Sequence, residues 1–260
     1  MEKNKRKNVS LQMLLFEFRK TIGNPYVHIF GVGMPVLMMI IITRAVTGEI
    51  PDAAMRASVN TTVFLGIGAL IPMATIFMGY AVSNAQELEK GIPQRMELFG
   101  ITPGTTIRNR ILAETIFMLL AFLIYFVAGY VVVDLEAPKL SGGVLYVVCI
   151  LGFSVLLFCF AYGISSLLRK FSLTYCVVML LYFAMMILGG MMGISYENLP
   201  SGVQLVAKLL PVTYINRDFY TVWRGESYNF MPMLQSYLLM GAAAGILMFF
   251  TLKRTERKLH

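Results

Sequence analysis

Six apolar segments, each about as long as a membrane is thick, dominate this sequence. A hydrocarbon core of about 30 Å needs roughly 20 apolar residues in a helix. Continuous runs of this length argue against a transmembrane β-barrel, whose strands alternate over roughly ten residues. The sequence therefore predicts an all-α membrane protein with six transmembrane helices, approximately at 27–45, 59–83, 111–133, 144–168, 173–195 and 231–252.

Composition supports a membrane location, because 57% of the 260 residues are hydrophobic and only 14% are charged. A chain of this polarity cannot build a water-soluble surface. Although the net charge is +8, the basic residues stand mainly at the ends of the apolar runs rather than in one patch. This pattern argues against a nucleic-acid partner, and we expect membrane lipids to surround the chain instead.

The positions of Lys and Arg predict how the spans are oriented, since cytoplasmic flanks carry the positive excess. The two ends of the sequence and the second and fourth connections hold 16 of the 22 basic residues, and the other three connections hold 6. Both termini are therefore predicted to be cytoplasmic. No linker or internal repeat divides residues 1–260, which we interpret as a single transmembrane domain.

Residues 8–23 precede the first span and are predicted to form an amphipathic helix. Glu17 and Lys20 are placed mainly on the side opposite its apolar residues. We interpret it as an interfacial helix along the inner leaflet, and the alternative is a cytoplasmic cap on the bundle. The apolar residues that recur at steps of three and four are Leu11, Leu14, Leu15, Phe18 and Ile22.

The second connection, 84–110, mixes charges of alternating sign with apolar side chains such as Leu88, Met96, Leu98 and Phe99. A short amphipathic element of this kind can dock on the surface of a soluble partner. A solvated loop has the same composition. The residues alone therefore leave both interpretations open.

Two ordered sets of residues resemble the permeases of type-2 ATP-binding-cassette (ABC-2) exporters. Residues 87–91 read E-L-E-K-G and are followed by Leu98 and Pro103, similar to the family's E-x-E-[RK]-G-T loop with Leu and Thr-Pro after it. The segment 189–200 contains G-G and then N-L-P, and 210–217 reads L-P-V-T-Y-I-N-R, similar to the family's outer region. With six spans and an interfacial helix, the likeness covers nearly the whole chain.

The resemblance implies a bacterial cell-membrane exporter in which the second connection forms a cytoplasmic coupling helix. This helix would sit in a groove of a separate ATPase, with a smaller contact from the fourth connection. The sequence departs from the family at Ile92-Pro93, where Thr usually follows the Gly. Because Pro fits the first turn of a helix, we expect the coupling helix to begin here rather than at Glu87. The coupling residues implied by the resemblance are Glu87, Glu89, Gly91, Leu98, Arg169 and Lys170.

The fifth connection contains a stretch, 203–210, that is too apolar for a free loop and too short to span. We interpret it as part of a re-entrant or interfacial helical segment that closes the outer mouth, as the resemblance also implies. A surface helix packed on the bundle is the alternative. The residues assigned to this outer gate are Pro200, Val203, Val206, Leu210, Pro211 and Tyr214.

Polar residues inside the spans, which would mark a transport path, are few. Glu114 and Arg44 stand near span ends, from which both side chains can reach an interface. A path lined by apolar and aromatic groups suits an amphipathic drug, peptide or lipid-like cargo better than an ion. The candidates for lining this path are Phe64, Tyr80, Phe160, Tyr162, Tyr182 and Phe183.

The sequence contains no G-x-x-x-x-G-K-[ST] phosphate loop, and its two histidines complete neither a catalytic triad nor an H-E-x-x-H metal motif. We expect no enzyme activity, metal site or cofactor in this chain, with ATP and Mg²⁺ bound by a partner ATPase subunit. The resemblance further implies a second copy of the permease, as a homodimer.

Two alternatives remain open. A polysaccharide or teichoic-acid exporter of the same family is the nearer one, although 14–24 lacks the S-x-L-G pattern of such relatives and only one Trp is present, at 223. The other is a passive channel or membrane assembly subunit without an ATPase.

Overall fold

The computed structural model describes residues 2–192 and 196–256, and it contains no strand in these ranges. Six of the described helices are long and apolar enough to cross a membrane, which confirms the predicted fold class. The helices are α1 (Glu2–Ile22), α2 (Ile29–Thr47), α3 (Ala53–Glu89), α4 (Ile92–Leu98), α5 (Pro103–Val132), α6 (Leu140–Leu168), α7 (Phe171–Leu188), α8 (Ser201–Ala207), α9 (Pro211–Arg217), α10 (Phe219–Trp223) and α11 (Met231–Glu256). A short helix, Pro25–His28, leads directly into α2, and one turn of 3-10 helix, Tyr196–Asn198, precedes α8.

The spanning helices differ from the predicted spans mainly at their ends. Helix α3 continues to Glu89 rather than stopping at 83, and α5 begins at Pro103 rather than 111. Helix α7 ends at Leu188, and the predicted end of this span at 195 lies outside the described residues. A helix extends past its apolar run when its first turn is capped, as at α5, where Thr102 Oγ1 accepts a hydrogen bond from the Thr105 N–H at 3.4 Å.

Helix α3 forms the centre of the bundle. In its most apolar stretch 83% of the residues are buried, compared with 22–33% in the other five spans. Its helical pattern changes near Pro72, and the Ala69 N–H bonds the Gly66 carbonyl rather than that of Leu65. The Tyr146 hydroxyl of α6 donates to the Leu65 carbonyl at 2.8 Å, so this buried acceptor keeps a partner.

The bundle has two ends, which we call the terminal end and the opposite end. The terminal end contains α1, which packs along α5, together with α4 and the α6–α7 junction. Helix α11 finishes there as well, since Thr251 Oγ1 donates to the Gly163 carbonyl of α6 at 3.5 Å. The opposite end contains the α2–α3 and α5–α6 connections and the short helices α8, α9 and α10.

Candidate functional site

Glu87 is the centre of a largely buried group of charges at the terminal end. It lies in the last turn of α3, and its side chain is 14% exposed. One carboxylate oxygen pairs with Lys20 of α1, and the other accepts a hydrogen bond from Arg110 Nη1 of α5 at 2.7 Å. A single side chain therefore links three helices.

Glu17 and Glu114 complete what we call the charge network: Glu17, Lys20, Glu87, Arg110 and Glu114. Glu17 Oε2 lies 3.5 Å from Lys20 Nζ and 3.9 Å from Arg110 Nε. Glu114 is 5% exposed, and its Oε1 lies 3.2 Å from the Thr21 hydroxyl. Three carboxyl groups and two cations thus lie together, with Glu17, Arg110 and Glu114 buried and Lys20 and Glu87 partly buried. In such a cluster, removing one partner leaves another charge uncompensated.

Lys20 illustrates the energetic balance of the network. Burial is the main reason that its pKa falls from 10.5 to about 8, and the positive charge of Arg110 acts in the same direction. The Glu17 carboxylate raises the pKa of Lys20 and so opposes both effects. The nearby carboxylates therefore favour the charged ammonium group against the effect of burial.

The side of α1 that is buried against the bundle carries Glu17. Met13, Glu17 and Thr21 recur at steps of four and are buried, whereas Leu11 and Leu15 are 57% and 47% exposed. Glu17 lies opposite Leu11 and Leu15, and it is buried because its partners are Arg110 of α5 and Lys20 of its own helix. The signal in the sequence was a carboxylate and a threonine one turn apart on the Met13 face. An interfacial position of α1 stays a prediction.

Glu89 and Asn84 connect the end of α3 to the next two helices. Glu89 Oε2 accepts a hydrogen bond from the backbone N–H of Phe171, the first residue of α7, at 2.7 Å. A carboxylate at a helix N-terminus is favourable because the first amide groups lack partners inside the helix. Asn84 Nδ2 donates to Ser165 Oγ of α6 at 2.8 Å. The predicted coupling residues Glu87 and Glu89 therefore bind groups of this chain.

Helix α4 is a short projection bounded by two glycines. Gly91 and Gly100 have φ of +65° and +78°, which glycine adopts readily and which separate α4 from α3 and α5. The helix begins at Ile92, so Pro93 stands in its first turn, as its residue type predicted. At its far end Leu98 and Phe99 are 86% and 84% exposed. We call these two residues the exposed apolar pair.

Arg169 and Lys170 form the α6–α7 junction at the same end of the bundle. Arg169 has a φ of +54°, uncommon for a residue with a side chain, and its Nε donates to the Ser166 carbonyl at 3.1 Å. Its side chain shares a cavity of about 180 Å³ with Pro93 and Gln94 of α4. Lys170 is exposed immediately before α7. The structure thus brings together the second and fourth connections, the two regions predicted to contact the ATPase.

A cavity of about 590 Å³ opens beside the charge network, between the α1–α2 junction, α3 and the start of α7. Lys20, Gln86 and Glu87 line its polar part. Apolar and aromatic walls with a few polar groups fit an amphipathic molecule. None of these wall residues was singled out from the sequence, because they come from distant segments. The wall is lined by Val27, Phe30, Met78, Val82, Phe171 and Tyr175.

The residues predicted to line a path lie mostly inside the bundle. Phe64, Tyr80 and Tyr182 are at most 2% exposed, and Phe64 stacks on Tyr125 of α5 with ring centres 4.8 Å apart. None of the six predicted path residues is among the described residues that line the 590 Å³ cavity. The other three are more accessible: Phe160 and Tyr162 are partly buried, and Phe183 is 41% exposed.

At the opposite end, α9 forms the buried half of the predicted gate segment. Residues 211–215, which include Pro211 and Tyr214, are buried. The helix packs on α3 so closely that a Cβ at Gly66 would overlap Asn216. Asn216 Nδ2 donates to the Gly189 carbonyl at 2.7 Å, which fixes α9 to the end of α7.

Helix α8 forms the exposed half of this segment. Pro200 precedes it, Val203 and Leu210 are partly buried, and Val206 is 50% exposed. The two halves are joined by the Thr213 hydroxyl, which donates to the Ala207 carbonyl at 2.7 Å. The structure therefore brings the predicted gate residues into one helical hairpin, and closure of a path by this hairpin stays a prediction.

Helix α10 attaches the hairpin to the α5–α6 connection. The Trp223 indole N–H donates to the Glu136 carbonyl at 3.0 Å, and the Tyr220 hydroxyl donates to the Glu136 carboxylate at 3.0 Å. A Cβ at Gly142 of α6 would overlap the backbone of Val222 and Trp223. Close backbone contact and hydrogen bonds therefore hold this end together.

The comparison with known families agrees with this arrangement. A family model described as ABC-2 type transporter matches residues 10–217. This range includes the charge network, α4 and the α8–α9 hairpin. None of the curated proteins compared with the sequence matches it.

Proposed function

We propose a transport function from the premise that this chain belongs to the ABC-2 type transporter family. The chain is a multi-pass membrane permease, and members of its family generally associate with an ABC-type ATPase. We propose that two copies form a transport path and that separate ATPase subunits bind ATP and Mg²⁺ beside them. ATP hydrolysis by these subunits would drive an amphipathic cargo out across the cell membrane. The observation that carries this proposal is the exposed apolar pair on α4.

The exposed apolar pair fits the surface of a soluble partner. Leu98 and Phe99 stand 86% and 84% exposed at the tip of a projecting helix. Covering a side chain of this size gains about 1.5–3 kcal/mol. A groove on the ATPase that accepts both side chains would therefore bind α4 without any contact to the rest of the bundle.

The charge network gives α4 a mechanical connection to the bundle. Glu87 lies close before Gly91, where α4 separates from α3, and it binds Lys20 of α1 and Arg110 of α5. A displacement of α4 would therefore be passed to α1 and α5 through one carboxylate. In this proposal Glu87 and Glu89 transmit the movement inside the permease, while Leu98 and Phe99 touch the ATPase.

The test is co-purification of the permease with its ATPase. Leu98→Ala combined with Phe99→Ala should weaken this complex at least tenfold, because the apolar burial is lost. Gln94→Ala, at an exposed polar position on the same helix, should leave the affinity unchanged. Equal affinity of both variants would contradict the docking role. A permease that never co-purifies with an ATPase would favour a passive channel or an assembly subunit.

The 590 Å³ cavity is the proposed cargo site. Its polar groups stand at the terminal end and its aromatic and aliphatic walls reach into the bundle, so it suits an amphipathic drug, peptide or lipid-like molecule. Val82→Trp should fill part of the cavity and lower export of an amphipathic dye at least tenfold. The control, Val148→Trp, lies on an exposed face of α6 and should leave export of the dye unchanged. Export of polysaccharide but not of the dye would favour the polysaccharide or teichoic-acid alternative.

This function requires α4 to face the cytoplasm, where an ATPase is found. We therefore propose that the terminal end, with both termini, is cytoplasmic, in agreement with the distribution of basic residues. A cysteine introduced at Gln94 should react with an impermeant reagent only from the cytoplasmic side. Labelling of this position in intact cells would overturn the orientation.

The α8–α9 hairpin is the proposed outer closure. If α8 dips into the membrane, Val206→Asp should disturb export, because a charge near the bilayer centre costs about 2.5–3.5 kcal/mol and less near the interface. The ATPase complex should still form, since α4 lies at the other end. Lys208→Gln, at an exposed position on the same hairpin, is the matched control. Normal export by Val206→Asp would exclude the gate role.

A further inference from the structure

We propose that a second cavity, at the opposite end of the bundle, binds the phosphate group of a membrane phospholipid. It has a volume of about 360 Å³ and lies between the end of α2, the start of α3 and the end of α5. Its charged lining residues are Arg44, Arg56 and Asp134. It shares no described lining residue with the 590 Å³ cavity, so this site is independent of the proposed cargo site.

The charges of this cavity favour an anion. Two guanidinium groups face one carboxylate, which leaves one positive charge in excess. Arg56 Nε lies 3.7 Å from Asp134 Oδ2 and makes no hydrogen bond, and Arg44 has no side-chain partner among the described residues. Asp134 is 76% exposed and therefore holds Arg56 only weakly. Guanidinium groups with free N–H donors match the oxygens of a phosphate.

The floor of the cavity is polar and already arranged. Thr43, Thr47 and Asn60 are at most 5% exposed. The two threonine hydroxyls donate to the Met39 and Thr43 carbonyls, each at 2.7 Å. Asn60 Nδ2 donates to the Asp134 carbonyl at 3.3 Å, which uses one of its two N–H groups. The second Asn60 N–H and the arginines therefore make the cavity rich in donors.

The surroundings of the cavity point to a lipid as the source of the phosphate. Leu37, Ile41 and Arg44 follow each other at steps of four and three and so share one face of α2. Leu37 and Ile41 are 59% and 63% exposed on this face, and Val131 of α5 is 78% exposed. Acyl chains can lie along these spanning helices while an arginine at the helix end reaches the headgroup. Free inorganic phosphate would contact the arginines but would leave these apolar side chains uncovered.

The experiment is a lipid titration of the purified full chain followed by native mass spectrometry. Phosphatidylglycerol and diacylglycerol with the same acyl chains are compared, because only the first carries a phosphate. The wild-type chain should bind phosphatidylglycerol at least tenfold more tightly. Equal binding of the two lipids would overturn the proposal without any need for a variant.

Variants locate the site. Arg44→Gln combined with Arg56→Gln should abolish the preference for phosphatidylglycerol, whereas Arg224→Gln, an exposed arginine at the same end, should keep it. Asp134→Asn removes the competing carboxylate at an exposed position and should strengthen binding about threefold. An equal loss in the Arg224 variant, or no gain in the Asp134 variant, would contradict the assignment. Displacement of the lipid by millimolar inorganic phosphate would overturn the lipid as the source.

Discussion

The two ends of this permease are held together by different kinds of contact. At the terminal end, α1, α3 and α5 meet through the buried charges around Glu87, with Arg110 Nη1 at 2.7 Å. At the opposite end, α3 and α6 touch short helices through glycines that leave no space for a Cβ, at Gly66 and Gly142. Ion pairs can exchange partners when helices shift, whereas close backbone packing resists any shift. We therefore expect the terminal end to move, and α9 and α10 at the opposite end to stay fixed on α3 and α6.

The largest effect should follow removal of Arg110, whose side chain is 4% exposed. Arg110→Gln leaves Glu17 and Glu87 with a single cation and should lower the free energy of unfolding by about 3–5 kcal/mol. Adding Glu87→Gln restores the charge balance and should recover part of this loss. Thermal unfolding in detergent measures both effects. Arg95→Gln, on the exposed side of α4, is the control, and an unchanged midpoint for Arg110→Gln would remove the distinction between the ends.

A smaller effect should follow overpacking at the opposite end. Gly142→Ala places a methyl group against the Val222 and Trp223 backbone and should cost about 1–3 kcal/mol. Its neighbour provides a matched control, because a Cβ at Gly143 would meet only Pro138 at an ordinary 3.5 Å. The same unfolding measurement applies. If both alanine variants unfold at one temperature, this end is not as rigid as its packing indicates.

The smallest effect concerns a hydrogen bond at the opposite end. Tyr220→Phe removes the hydroxyl that donates to the Glu136 carboxylate and should cost about 1.5 kcal/mol, the lower limit for a hydrogen bond to a charged group, because the pair is partly exposed. Tyr130→Phe is the control, because Tyr130 of α5 is half-exposed and its hydroxyl has no partner among the described residues. This variant should lose no measurable stability. A larger loss for Tyr220→Phe than for Gly142→Ala would mean that polar contacts, rather than packing, hold this end.

Much of the fold could be predicted because it depends on properties of single helices. Span positions follow from the length of the apolar runs, and the start of α4 follows from Pro93, whose ring fits a first turn. The extensions of α3 to Glu89 and of α5 back to Pro103 were missed, since polar turns continue a helix when caps and neighbouring helices stabilise them. Cargo, partner and dimer remain predictions.

The sequence by itself determined that the chain forms six helices long and apolar enough to cross a membrane, and the residue type of Pro93 placed the start of the helix in the second connection. Only the tertiary structure decided that Glu17 is buried and Glu87 pairs with two other helices, that Phe64 and Tyr80 pack in the core, and where the cavities lie. The physical reason is sequence distance: Glu87 meets Lys20 across 67 positions and Glu114 meets Thr21 across 93. Periodicity describes the faces of one helix, and the partner that makes a buried charge favourable comes from another.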